Sequence, residues 1–121
     1  MVTLTKTKDE TKKFILFKAS LNDIFNSQDK LIDIAKKWTK DITINKNCTN
    51  LSYSEWNNQI RKLARDVLDK IINNMCDYFS GRYKFELSHY ILDRAITEKP
   101  NNKNLYGLLQ ENIRLKYHPE N

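Results

Sequence analysis

An all-α fold, a compact bundle of four to five helices around a long central helix at about residues 52–80, is what this sequence predicts. Three observations carry that expectation. Gly and Pro occur only twice each, and there is no Asn-Gly, Asp-Gly or Gly-Gly pair. β-Hairpins and sandwiches need turn positions with positive φ, which those residues fill, so their scarcity favours helices joined by a few loops. Apolar residues recur at three- and four-residue spacing along most of the chain, which is the period of one buried helix face. Apolar residues also make up 40% of the chain against 30% charged, a globular balance rather than a disordered one. The 121 residues suit a single domain (1–121) with one core, needing neither disulfide nor metal staple.

Residues 1–8 are polar and expected to be loose. Thr7 with Glu10 makes a capping-box pattern for a first helix over about 9–26, striped by Phe14, Phe17, Leu21, Ile24 and Phe25. The run Phe14-Ile15-Leu16-Phe17 has a second reading as a short strand. Ser27 is a candidate N-cap for a second helix over about 28–42, with Leu31, Ile34, Ala35, Trp38 and Ile42 on one face. The Asn26-Ser27 junction reads as a break or only a kink. Residues 43–50 are polar, Asn-rich and β-branched, and read as a loop.

The central helix has the clearest start signal. Ser52 and Glu55 form a Ser-x-x-Glu box, and Leu51 with Trp56 can staple it. Trp56, Ile60, Leu63, Val67, Ile71 and Met75 then hold one face, widened by Ala64, Leu68, Ile72 and Phe79, and Gly81 is expected to end the helix. A fourth helix over about 83–98 carries Phe85, Leu87, Tyr90, Ile91, Leu92, Ala95 and Ile96 around more than half its circumference. Coverage that broad points to burial on two sides, within the bundle or against a protein partner or second copy. Pro100 and the Asn-rich run after it stop that helix. The last, about 104–117, presents Leu105, Leu108, Leu109, Ile113 and Tyr117 and ends at His118-Pro119.

Composition also narrows function. The net charge of +6 attracts polyanions, but the cations are dispersed and form no polybasic run. Abundant Lys, Asn, Ile and Tyr resemble the usage of AT-rich genomes, which gives the lysines a compositional reading beside the functional one. Cys48 and Cys76 fit neither a zinc spacing nor Cys-x-x-Cys, and are expected as reduced thiols in a cytoplasmic protein. The Phe14–Phe17 run is too short for a signal-peptide core, and no stretch approaches the roughly 20 apolar residues of a membrane span. The sequons at Asn47 and Asn50 therefore read as chance. Two histidines cannot build a His-rich metal site, and two glycines cannot build a phosphate-binding loop. No metal and no small-molecule cofactor is expected.

The candidate nucleic-acid contacts are Arg61, Lys62, Arg65 and Lys70 on the central helix and Arg82 after it. Trp38, Trp56, Tyr53 and Tyr83 are candidate stacking rings, the alternative for both tryptophans being the core. Asp66 and Asp69 read as intrahelical partners of the neighbouring cations, and Asp93 with Arg94 reads similarly. Leu-Ser-x-Ser from Leu51, followed by Gln-Ile-Arg-Lys-Leu at 59–63, resembles small helical subunits of CRISPR effector complexes. That resemblance implies subunits that pack in rows and track a nucleic-acid backbone.

Arg82 and His89, at R-x6-H spacing, resemble the R-x4–6-H signature of HEPN-type helical ribonucleases and toxin domains. The resemblance implies Arg82 and His89 as a metal-independent catalytic pair acting at a dimer interface. It covers about nine residues. Tyr83 stands where the family carries a small polar residue, and Tyr90 directly follows the His. The other reading of both residues is a solvated arginine and a surface imidazole. The expectation is thus a small basic non-enzymatic binding or assembly protein, with a HEPN-like ribonuclease as the runner-up. Size and class also suit an immunity or host-modulating bundle.

Overall fold

The computed structural model describes residues 2–42 and 52–117, with side chains over 9–42 and 52–116. Five helices build it: α1 (Val2–Phe25), α2 (Gln28–Thr39), α3 (Tyr53–Cys76), α4 (Gly81–Ile96) and α5 (Leu105–Tyr117). The described residues contain no strand, so Phe14–Phe17 is helical. The 43–50 loop, with Cys48, Asn47 and Asn50, lies outside the described residues, as do Leu51 of the staple and the His118-Pro119 stop.

The apolar stripes become the core. Leu21, Phe25, Leu31, Ala35, Leu87, Ile91, Ala95, Leu105, Leu109 and Ile113 are buried around α3. Helix α3 contributes Ile60, Ala64, Val67, Leu68, Ile71, Ile72 and Cys76, more than any other helix. Helix α5 lies against α2, α3 and α4, and α1 packs on α2 and α4. Side-chain contacts set the directions. Tyr106 reaches the Arg61 carbonyl while Arg114 covers Trp56, so α5 runs antiparallel to α3. Thr11 meets Tyr83 and Asn22 meets Arg94, so α1 and α4 run parallel.

Five boundaries depart from the sequence reading. Helix α1 starts at Val2, not at Asp9. Residues 2–8 contain no Gly or Pro, and extending a helix is far cheaper than nucleating one, so the Thr7–Glu10 box lies within the helix. Helix α2 ends at Thr39, not at Ile42. Buried Thr39 bonds back to the Ala35 carbonyl at 2.7 Å, and Lys116 donates to the Thr39 and Lys40 carbonyls at 2.5 and 2.7 Å. A cation from α5 thus caps the negative end of α2.

Helix α3 ends at Cys76 rather than Ser80, because Phe79 leaves the helix to pack against Phe17 (5.4 Å) and Phe14 (6.3 Å). Tyr83 stacks on Phe14 at 4.6 Å. Gly81 does take a left-handed φ of 56°, which glycine alone adopts without cost, but it opens α4 instead of closing α3. Helix α4 runs Gly81–Ile96, two residues earlier at each end than expected.

Other local signals hold. Ser27 accepts from the Lys30 amide at 3.3 Å and separates α1 from α2. Asn104 joins two helix ends. Its Oδ1 accepts from the Gly107 amide at 2.7 Å, and its Nδ2 donates to the Ile96 and Thr97 carbonyls at 3.0 and 3.3 Å. The Ser52–Glu55 box closes in both directions, each bond 3.2 Å.

The amide of Ser52, donating to the Glu55 carboxylate, lowers that group's pKa, and the Ser52 hydroxyl adds to the shift. A depressed folded-state pKa stabilises above the unfolded value and ceases to do so as pH falls through the folded one. The melting-temperature advantage of the wild type over Glu55→Ala should therefore be present at pH 7 and shrink as pH falls below the ordinary glutamate range. An advantage unchanged across that range contradicts a charged cap.

Cys76 is fully buried and free. Desolvation pushes its thiol pKa up, against smaller opposing effects of the Ser88 hydroxyl and the Lys84 charge. Thiolate is the reactive form, so iodoacetamide should leave Cys76 unmodified in the folded protein and label it fully in denaturant. Mass spectrometry of the Cys76 peptide reads the difference.

Candidate nucleic-acid interface

The exposed side of α3 carries the predicted cations, and the fold sorts them. Arg61, Lys62 and Arg65 line one open hollow of about 530 Å³ between α3 and the start of α5, together with Asn58, Gln59 and Tyr106. Successive turns of α3 supply the first five, and α5 supplies Tyr106, whose hydroxyl donates to the Arg61 carbonyl at 3.1 Å. Among the described residues, no carboxylate lines this hollow. Asp69 holds the Arg65 Nε at 3.1 Å, and the Arg65 side chain stays half-exposed. An exposed pair of that kind contributes only about 0.3–0.5 kcal/mol, so it yields readily to an incoming anion.

Lys70 belongs elsewhere. It lines a second hollow of about 750 Å³ against the end of α2, with Lys37, Lys40, Trp38, Ile42, Leu63 and Val67, and with Asp41 and Asp66 offsetting the lysines. Arg82 stands on α4, its side chain 87% exposed and paired with Glu86 at 3.2 Å. The five predicted contacts therefore divide into a cluster of three and two separate cations.

The four candidate stacking rings divide as well. Tyr83 is committed to Phe14 and to the Thr11 hydroxyl. Trp38 and Trp56 are half-buried at the core's edge, as the core reading has it. Arg114 lies over the Trp56 ring at 5.5 Å, and the buried Trp56 Nε1 has no partner among the described residues. Only Tyr53, 74% exposed, offers a largely open face.

Arg82 and His89 share the outward face of α4, two turns or roughly 10 Å apart. His89 is exposed and meets the edge of Phe85 at 4.3 Å. One chain does not bring the two groups to a common point.

Two features lay beyond sequence reasoning. Tyr106, Asn58 and Gln59 complete the cationic hollow, and only the α3–α5 packing reveals them. Arg94 does not pair with Asp93 on the surface. It turns inward to α1, donating to Asn22 (2.5 Å), Asn26 (2.9 Å) and Tyr90 (2.9 Å), with its guanidinium 5.5 Å from the Phe25 ring.

Among the described residues, no group of three or more His, Cys, Asp or Glu gathers to hold a metal ion. No described helix is long and apolar enough to cross a membrane. Comparison with protein-family models, curated proteins and solved structures returned no match to this chain.

Proposed function

We propose that this is a non-enzymatic binding module that holds a nucleic-acid backbone in the α3–α5 hollow without reading sequence. One observation carries the reading: Arg61, Lys62 and Arg65 line an open hollow with two amides and a tyrosine, and no described carboxylate lines it. Guanidinium and ammonium groups neutralise phosphates, and amide and hydroxyl groups supply donors that position a backbone without distinguishing bases. The net charge of +6 supports approach of a polyanion from a distance.

Binding of this kind releases condensed counterions and weakens steeply with salt. The protein should be retained on heparin and on mixed-sequence RNA or DNA at low ionic strength, and should elute as salt rises. Undetectable retention at low salt removes the proposal.

A second reading rests on the exposure of Arg82 and His89 on one face of α4. A metal-independent ribonuclease using them cleaves RNA in EDTA and loses that activity in His89→Ala. Intact RNA after prolonged incubation with the wild type ends that alternative.

A further inference from the structure

Helix α4 buries Leu87, Ile91 and Ala95 and turns Tyr90 and Arg94 toward α1. No other described helix covers its remaining face, which exposes two large apolar side chains. Phe85 is 65% exposed and Ile96 44%, with exposed His89 and half-buried Leu92 between them. The spacing Phe85, His89, Leu92, Ile96 alternates four, three and four residues, the pattern of a helix seam made for a second helix.

Beside that seam, Arg82, Glu86, His89 and Asp93 run along the same outward face at the same spacing. Read in one direction they are cation, anion, imidazole, anion. Read in reverse, each group falls opposite its complement.

We infer that this face of α4 docks against α4 of a second copy of this chain, antiparallel, about a two-fold axis level with Leu87 and Ser88. The axis sets Arg82 of each copy opposite Asp93 of the other. It sets the His89 imidazole N–H opposite the Glu86 carboxylate, so both pairs form twice. A two-fold perpendicular to antiparallel helices keeps like flanks together, and the apolar flank of one copy therefore meets the apolar flank of the other. Phe85 packs on Leu92 across the axis. Such self-complementarity is the hallmark of an isologous interface.

The occupant follows from the order of the charges. A partner matches these four groups only if it carries the complementary order, and α4 itself carries it. The intrahelical Arg82–Glu86 pair is solvent-exposed and competes weakly. In this register Arg82 and His89 are both engaged by carboxylates across the axis, so the interface stands apart from any phosphate chemistry. It is also independent of the α3–α5 hollow.

Sedimentation velocity over a concentration series tests the pairing. The wild type should show a monomer–dimer equilibrium. Phe85→Ala should raise the dissociation constant about tenfold or more, as loss of a central aromatic anchor does, with the helical spectrum preserved and the melting temperature unchanged at concentrations where both proteins are monomeric. Arg82→Glu and Asp93→Arg should each weaken the dimer by placing like charges in opposition. The double variant restores opposite charges and should return the dissociation constant to within a few-fold of wild type. A wild type that stays monomeric at every concentration overturns the inference. So does a dimer indifferent to Phe85→Ala, or a charge-swapped pair no better than its single variants.

Discussion

Phe25→Ala should cost about 3–5 kcal/mol of folding stability, on the order of 10 °C or more in melting temperature for a domain of this size. Phe25 is fully buried at the last residue of α1, where several elements converge. Arg94 covers its ring, and Lys99 donates to its carbonyl at 2.5 Å. Truncation empties a closely packed site that rigid helices on several sides cannot collapse to fill, so a cavity penalty adds to the lost burial. It also removes the surface over which the Arg94 clamp to Asn22 and Asn26 is laid. Phe85→Ala is the internal control: the same chemistry at an exposed position should move stability by no more than about 0.5 kcal/mol in the monomer. Urea denaturation followed by circular dichroism measures both. Equal losses at the two positions contradict the assignment of core and surface on α1 and α4.

The second large effect concerns binding. Replacing Arg61, Lys62 and Arg65 together by alanine should lower affinity for mixed-sequence DNA about a hundredfold near 100 mM salt. It should also reduce the slope of log K against log salt by about 2–3. All three side chains are exposed, so fold and stability should hardly change. Lys70→Ala and Arg82→Ala alter cations outside the hollow and should leave the slope within about one of wild type. Equal contributions from all five residues point to diffuse surface charge and not to a site.

Much of this architecture was legible because local and long-range preferences agree. Ser52 and Glu55 announce α3 by chemistry that the structure reproduces bond for bond, and Ser27 does the same for α2. The stripes of α2, α3 and α5 put the right residues in the core, because period and burial there obey one rule. Legibility fails where a distant partner decides. Lys116 caps α2 from 77 residues away in the chain, and nothing near Thr39 announces it. Phe79 matches the helical period of α3, yet Phe14 and Phe17 draw it out of the helix. Gly81 signals a left-handed residue correctly, but a positive φ does not reveal which of two helices it borders.

The candidate site shows the same division. Arg61, Lys62 and Arg65 stand within five positions on one helix, so their convergence follows from helical geometry alone. Tyr106 arrives from α5, and the separation of Lys70 and Arg82 depends on where α2 and α4 pack. No local pattern encodes either. Arg94 reads as surface charge in sequence, and the carboxamides of Asn22 on α1 and Asn26 just after it make it a clamp.

The most direct measurement is a set of amide chemical-shift perturbations as a short single-stranded oligonucleotide of mixed sequence is added at low salt. The shifts should concentrate at Asn58, Gln59, Arg61, Lys62 and Arg65 and at Tyr106, and should fade as salt is raised. Perturbations centred on the Phe85–Ile96 face, spread evenly over the lysines, or absent at low salt would show that the α3–α5 hollow is not where this protein meets a polyanion.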